Sequence, residues 1–587
     1  MTFSAFTRSL ALFVIATALA SAKPDDPVLL KEQGPQVTLA NGNVSITVNK
    51  ADATIPIMTL NGSANLAGRG GYFAVANSVG RDGGDLHNAE FAIVRNTPDI
   101  AEISMGAPVG GIFFTVHYIV RRGDQGFYVF VEQQRKTGAR AEGTGQVRWS
   151  FYLNNDLFNY HLASDSEQDP IPDLKGARQV QDATYRLPNG TVYTKYNYCV
   201  YLEDDLVHGI CGTGPNAYGA FVISPGREYL QAPTKQEISV HAGPIIHRFL
   251  QSGHFEPRDE SSQKAPEGWK KACGPWFVYL NTGDNPQTIW ADAKARARQE
   301  NSQWPYQWMQ HPDYPLERGE VRGTLRLYDG AQPAANALMV LTAPSPDWQL
   351  QVLNYIFSAR ADADGHFILP HVRPGTYTLF AAVPGVTDEF RRDNITVTAN
   401  GTLDLGTIVF APPYYSCRLW ELGVADRRTT GFNLSERRRQ YGLDQSVPSD
   451  LTYTIGQSLP SRDWYYAQAK QGDWKITFNL DREFHGQGVL TIGIAGQTRD
   501  PQLEVYVNGK FAGEYSGGNS SALYRSAILG SSFSENKILR FPASVFRRGA
   551  NTVTLRLNHG SVMYDVIKLE VDDPDQPKQI PTVVTKP

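Results

Sequence analysis

Alternation of apolar and polar residues dominates the chain. Val-Ser-Ile-Thr-Val at 44–48, Phe-Phe-Thr-Val-His-Tyr-Ile-Val at 113–120 and Gly-Phe-Tyr-Val-Phe-Val at 126–131 repeat with a period of two. That is the period of a strand with one buried face, and glycine-rich turns lie between the runs. One stretch differs: 289–300 has alanine-rich helical spacing behind an Asn285-Pro286 start, a helix-initiation signal. So many strands over 36–315 predict a large sandwich of two stacked sheets.

Beyond a Trp- and Pro-rich linker at 304–315, the spacing shortens. Gly-Glu-Val-Arg-Gly-Thr-Leu at 319–325, Asp-Ala-Asp-Gly-His-Phe at 362–367 and Val-Arg-Pro-Gly-Thr-Tyr-Thr-Leu at 372–379 predict a small fibronectin-type sandwich. Strand signals at 473–478, 488–495, 503–509 and 551–557 predict a jelly roll of the kind found in carbohydrate-binding modules. The expected division is 23–316, 317–412 and 413–572. A Pro- and Lys-rich tail at 573–587 is expected to be disordered.

Composition fits an all-β protein: 53 glycines, 36 prolines, 28 tyrosines and 27 phenylalanines in 587 residues. A net charge of −4 implies no general affinity for nucleic acid or an anionic membrane. Residues 1–22, with Arg8, an apolar run and Ala-Ser-Ala ending at Ala22, read as a secretory signal peptide. The mature chain is therefore expected outside the cell. Sequons at Asn43, Asn61, Asn189, Asn394, Asn400, Asn433 and Asn519 make glycosylation an expectation. Cys199 and Cys211 flank a hairpin turn near Asp204-Asp205 and are expected to pair across it, leaving Cys273 and Cys417.

The candidate chemistry concentrates in 191–255. Lys195 stands in Thr-Val-Tyr-Thr-Lys-Tyr-Asn-Tyr at 191–198. Alternation predicts a strand with Tyr193, Lys195 and Asn197 on one face. A desolvated lysine has a depressed pKa and can serve as a base; a lysine snorkelling at the surface fits the same sequence. No Cys/His spacing resembles a zinc site.

Several strings together resemble one family. They include Thr-Lys-Tyr at 194–196, Val-His-Gly at 207–209, Ser-Gly-His at 252–254 and Gly-Pro-Trp-Phe-Val-Tyr-Leu-Asn at 274–281. Trp-Pro-Tyr at 304–306, Arg-Gly-Glu-Val-Arg-Gly at 318–323, Leu-Trp-Glu-Leu-Gly at 419–423 and Val-Met-Tyr-Asp at 562–565 follow in order. This set is similar to the rhamnogalacturonan lyases of polysaccharide lyase family four, in their fungal-type three-domain form. The resemblance implies a galactose-mutarotase-like sandwich, a fibronectin type III-like domain and a carbohydrate-binding-module-like jelly roll. It also implies cleavage of the rhamnose–galacturonate bonds of rhamnogalacturonan I by β-elimination, leaving a 4,5-unsaturated galacturonate.

β-elimination needs a base for the C5 proton, positive charge for the uronate carboxylate, and a proton for the departing O4. The resemblance implies a lysine and a histidine as the pair: Lys195 as base and His254 as acid, or the reverse. His208 and His241 are rivals for the imidazole. Arg148 is the implied carboxylate ligand. Where the family pattern has a second arginine, this chain has Tyr152; where it has tyrosines before the histidine, this chain has His247 and Phe249. Tyr193 is a further expected contact, and Arg525 corresponds to an arginine that helps hold a long polymer. Trp464, Tyr465 and Tyr466 read as core as readily as a sugar surface.

No cofactor is required, and no Asp-rich calcium loop lies near the candidate site, although a structural calcium ion is compatible with the sequence. The expected partner is the polysaccharide, and the expected state is a monomer. A glycoside hydrolase would need two converging carboxylates, which the adjacent Glu203, Asp204 and Asp205 do not obviously supply. A non-catalytic carbohydrate-binding protein on the same sandwiches is the other alternative.

Overall fold

The computed structural model describes residues 26–77, 84–141, 144–255, 264–435, 440–523, 525 and 533–583. The expected signal peptide lies outside them. In the first domain the strands that matter are β1 (Ala67–Asn77), β2 (Ile100–Val109), β3 (Ile112–Arg121), β4 (Gly126–Gln134), β5 (Thr144–Leu153), β6 (Val207–Cys211), β7 (Ala217–Ile223), β8 (Ile245–Ser252) and β9 (Lys270–Gly283). Helix α1 (Pro286–Gln303) follows them. A nine-stranded sheet contains β6-β7-β9-β4-β3-β2, and a five-stranded sheet runs Val240–His241, β8, β5, β1, Gly84–Asp85.

The two sheets face each other across a shared core. Phe73, Val147, Trp149, Phe151 and Ile246 of the smaller sheet join Val116, Tyr118, Phe127, Val129 and Trp276 of the larger. Alternation explains the placement: every second residue of β5 points into this core, so Arg148, Ser150 and Tyr152 must point away from it. The helix forms where expected. Asn285 caps it, accepting from the Thr288 N–H at 2.9 Å. Its Ile289, Trp290, Ala293 and Ala297 pack on the outer face of the larger sheet.

The second domain pairs two four-stranded sheets, built around β10 (Gly319–Leu327) and β11 (Leu338–Thr342). The third is organised by two long antiparallel strands, β12 (Gln487–Val507) and β13 (Gly549–Asp572), whose register shifts let them bend through the domain.

Two expectations fail here. None of the four cysteines forms a disulfide. Cys211 packs with Phe221 and Trp290 under α1, whereas Cys199 belongs to the core shared with the third domain. The strand Cys199–Tyr201 pairs with Gln236–Ile238, while Cys211 ends β6 in the nine-stranded sheet, so their strands do not pair with each other. The described part of the tail is also tied down rather than loose. Asp573 N–H donates to Ser416, and Gln332 bonds both the Pro581 carbonyl and the Val583 amide.

Charged joints lock the domains together. Glu228 of the first domain is buried and takes two guanidinium groups, Arg318 at 2.6 Å and Arg373 at 2.7 Å. These cations hold the Glu228 carboxyl below its ordinary range, although burial pushes the other way. Glu228→Ala would strand two buried guanidiniums, a loss of about 3–5 kcal/mol. The expected result is a clear fall in the denaturant midpoint; an unchanged midpoint would show that the pairs are not what holds this joint.

Candidate active site

The candidate site lies on the outer face of the five-stranded sheet, which we take as the floor of a substrate groove. The β5 pairing sets Arg148 opposite Phe249 and Ala74, Ser150 opposite His247 and Tyr72, and Tyr152 opposite Ile245 and Gly70. Gln146, two residues before Arg148, lies on the same side, and its side-chain oxygen accepts from Arg148 Nη1 at 2.6 Å.

Lys195 stands at one end of this floor, on different local structure from that expected. The strand Val192–Thr194 stops, and a short 3₁₀ turn, Lys195–Tyr198, begins. Thr194 Oγ1 accepts from the Tyr196 N–H and caps the turn. The strand Thr184–Arg186 lies beside Val192–Thr194 and brings Asp182 alongside. Lys195 is only 7% exposed, and its Nζ lies 3.0 Å from Asp182 Oδ2. The same oxygen accepts from the Tyr196 hydroxyl at 2.7 Å. Burial lowers the Lys195 pKa; Asp182 opposes the shift, Arg525 and Arg148 reinforce it, and the net change is downward.

His254 is 4% exposed. Its Nδ1 lies 2.6 Å from Ser252 Oγ and 3.4 Å from Glu237 Oε1, while Nε2 is 3.4 Å from the Gln146 amide nitrogen. Ser252 and Glu237 therefore fix the ring from behind, and Nε2 is directed to the groove. Lys235 donates to the His254 carbonyl. Burial pushes the imidazole down to about 4; Glu237 resists, and Arg525 and Lys195 push further. Its ring lies 6.3 Å from that of Tyr196, the neighbour of Lys195.

Two arginines complete this end. Arg148 and Arg525 each carry a buried Nε with no hydrogen-bond partner among the described residues. Arg525 comes from the third domain, with its guanidinium 5.2 Å from the Tyr196 ring centre. Tyr196, Phe249 and Phe255 belong to the same apolar cluster as Trp464, Trp474 and Tyr564 of that domain. The groove wall is thus shared between domains.

The other expected residues divide. Phe249 lies on the groove floor, 6.0 Å from the Arg148 guanidinium and 5.6 Å from the His254 ring. His247 is buried beneath, with Nδ1 2.7 Å from Ser150 Oγ; burial drives its pKa well below the usual value. Tyr152 stacks on Tyr72. Tyr193 does not face the groove: its hydroxyl meets His161 Nε2 at 2.8 Å and accepts from the Gly243 N–H at 3.0 Å inside the main core.

Of the rival imidazoles, His208 is fully buried between Asp205, at 2.7 Å, and the His247 carbonyl, at 2.7 Å. It is part of the scaffold. His241 is half-buried at the groove, and burial, with Lys195 next, brings it to about 4. Trp464 and Tyr466 are core residues. Glu203 is held by Arg360 and Arg428, and Asp205 by His208 and Arg248, so these carboxylates do not converge on a common point.

Asp182, Gln146 and Glu237 have no sequence signal; each reaches the site through a long-range pairing. For a metal, the described residues offer one cluster, Glu132, His311 and Asp313. Its imidazole Nε2 lies 3.3 Å from Glu132, and Glu132 also meets His117 at 2.9 Å. Calcium prefers an all-oxygen shell, so this set does not fit it.

Models of known families match along the chain: the rhamnogalacturonate lyase family at 14–188, and polysaccharide lyase family 4 domain II at 331–405 and domain III at 418–569. A rhamnogalacturonate lyase of Dickeya dadantii is 33% identical over 490 residues, covering 81% of this chain and 82% of its own. Rhamnogalacturonate lyase B of Emericella nidulans is 24% identical over 551 residues, covering 78% and 82%.

Proposed function

The chain belongs to the rhamnogalacturonate lyases of polysaccharide lyase family 4, and from that membership we propose a secreted, single-chain endolyase that cuts the rhamnogalacturonan I backbone by β-elimination. It is a polysaccharide lyase, and the binding-only alternative is not favoured. The observation that carries the mechanism is one groove holding an amine, an imidazole and a guanidinium whose buried Nε has no partner among the described residues.

Arg148 takes the galacturonate carboxylate and stabilises the negative charge that grows on it as the C5 proton leaves. Lys195 accepts that proton. The C5–H electron pair becomes the C4–C5 double bond, and the C4–O4 bond breaks. His254 delivers a proton from Nε2 to O4, freeing the rhamnose end. The catalytic work is assigned to side chains alone.

The pair must hold one proton between its two members. In the free enzyme that proton rests on Lys195, which Asp182 favours. A uronate bound at Arg148 raises the proton affinity of both groups, so the reactive form, with Lys195 neutral and His254 protonated, is a minor arrangement of the same one-proton state. Activity should therefore fall on the acid side as His254 gains a second proton for the pair, near pH 4 in the free enzyme. It should fall on the alkaline side as the last proton leaves, below the ordinary lysine value because Lys195 is shifted down. A kcat/KM profile with no acid limb would contradict this pairing.

The low resting pKa of His254 also suits the exchanged roles, His254 as base and Lys195 as acid. Both assignments share the same proton count, so pH alone does not separate them. A galacturonate bearing a phenol at O4 does, because a phenolate leaves without a proton. On that substrate His254→Ala should recover most of its deficit and Lys195→Ala should not; the opposite pattern exchanges the roles.

Incubation with rhamnogalacturonan I tests the reading itself. The expected result is ultraviolet absorbance from a conjugated unsaturated uronate. New reducing ends without it would mean hydrolysis, and neither would mean binding alone.

A further inference from the structure

At the end of the groove away from Lys195 stands a cation that no carboxylate of the described residues pairs with. Arg69, on β1, is exposed, and its guanidinium sits 5.2 Å from the centre of the Tyr152 ring. Tyr152 stacks on Tyr72, with centroids 5.7 Å apart and planes 30° apart. Tyr72 and Tyr152 share the groove face with Ser150, His247 and Arg148. Tyr152 lies four residues beyond Arg148 on β5, about 13 Å along the strand.

The backbone holds Arg69 in place. Its neighbours are Gly68, Gly70 and Gly71. A Cβ on Gly68 would lie 2.4 Å from the Leu153 carbonyl oxygen. Gly70 has a φ of +87° and lies against the Ile55 carbonyl. The β1–β5 pairing is bulged between Tyr152 and Leu153, and bulges re-aim adjacent side chains. Together these bring the arginine over the tyrosine and prevent it from following the regular strand direction.

The polymer assigned above carries a carboxylate on every second sugar. A groove that grips it should offer cations at intervals, with apolar faces for the neutral rings between. Arg148 provides one cation. We propose that Arg69, seated on Tyr152, whose other neighbour is Tyr72, is a second uronate-binding site on the same groove, taking the carboxylate of a galacturonate outside the bond being cleaved. The inference rests on the lyase reading. The fork of the guanidinium suits a carboxylate, and the tyrosine faces offer a surface to an adjoining ring. The Tyr152 phenol is pushed up to about 12, by burial first and then by Tyr72, so it stays a neutral hydroxyl beside the anion.

The test compares wild type, Arg69→Ala and Arg69→Lys on rhamnogalacturonan I. An exposed charge-assisted contact predicts a KM for Arg69→Ala about 5- to 20-fold higher, with kcat down less than twofold. Arg69→Lys should recover part of the loss, because it keeps the charge without the fork. The affinity penalty of Arg69→Ala should shrink on polymer whose uronates have been reduced to neutral sugars, read by binding because β-elimination needs the carboxylate. In an inactive Lys195→Ala background, calorimetry should give the same loss of affinity for Arg69→Ala. A wild type that releases unsaturated uronate while Arg69→Ala keeps its KM and affinity would overturn the proposal alone. A wild type that releases none would overturn the lyase reading instead.

Discussion

Lys195→Ala is expected to lower kcat on rhamnogalacturonan I by about a thousandfold, the scale of a lost proton-transfer group, while leaving polymer binding nearly intact. The lysine is buried against Asp182, and the uronate carboxylate is gripped by Arg148 rather than by Lys195. Its removal leaves Asp182 half-exposed and still bonded to the Tyr196 hydroxyl, so the fold should survive. Initial rates of ultraviolet absorbance give kcat, and calorimetric titration of the variant gives affinity. Turnover within a few fold of wild type would remove Lys195 from the chemistry and move attention to His241, a further titratable group close enough to feel Lys195.

Arg148→Ala should be comparably severe and differ in kind. Loss of a charge aimed at the developing anion costs about 10²–10³ in rate, and the same arginine also holds the ground-state carboxylate. Both kcat and KM should therefore worsen. Arg148→Lys should restore only part of the rate, since an ammonium does not reproduce the fork that engages both the carboxylate and Gln146. A pure KM effect would place the arginine at a subsite remote from the cleaved bond.

The all-β class and the single long helix are legible in the sequence because period and capping are local. Asn285-Pro286 and alanine spacing suffice to find α1. Lys195 and His254 are legible only through family resemblance; nothing in their own segments separates them from ordinary buried residues. The strand expected at 193–198 fails for a local reason: a threonine cap outcompetes the alternation and turns the chain into a 3₁₀ helix. The cysteine pairing fails for a tertiary one, since the expected hairpin does not form: the two cysteine strands pair with other strands in separate sheets and bury their sulfurs in separate cores. Tyr193 was expected at the groove by alternation, but its hydroxyl bonds inward. Gln146, Asp182, Glu237 and Arg69 could not be read from the chain, because each gains its role from a partner strand or domain.

The imidazole of His254 feels a guanidinium from the far domain, and the aromatic residues around it interleave with that domain's tryptophans. A piece cut off after the first sandwich would therefore lose a wall of its own reaction chamber. Grafting a different sugar-binding module in its place should extinguish turnover even if the graft still clings to pectin. Heating should melt the catalytic and terminal parts in one calorimetric peak.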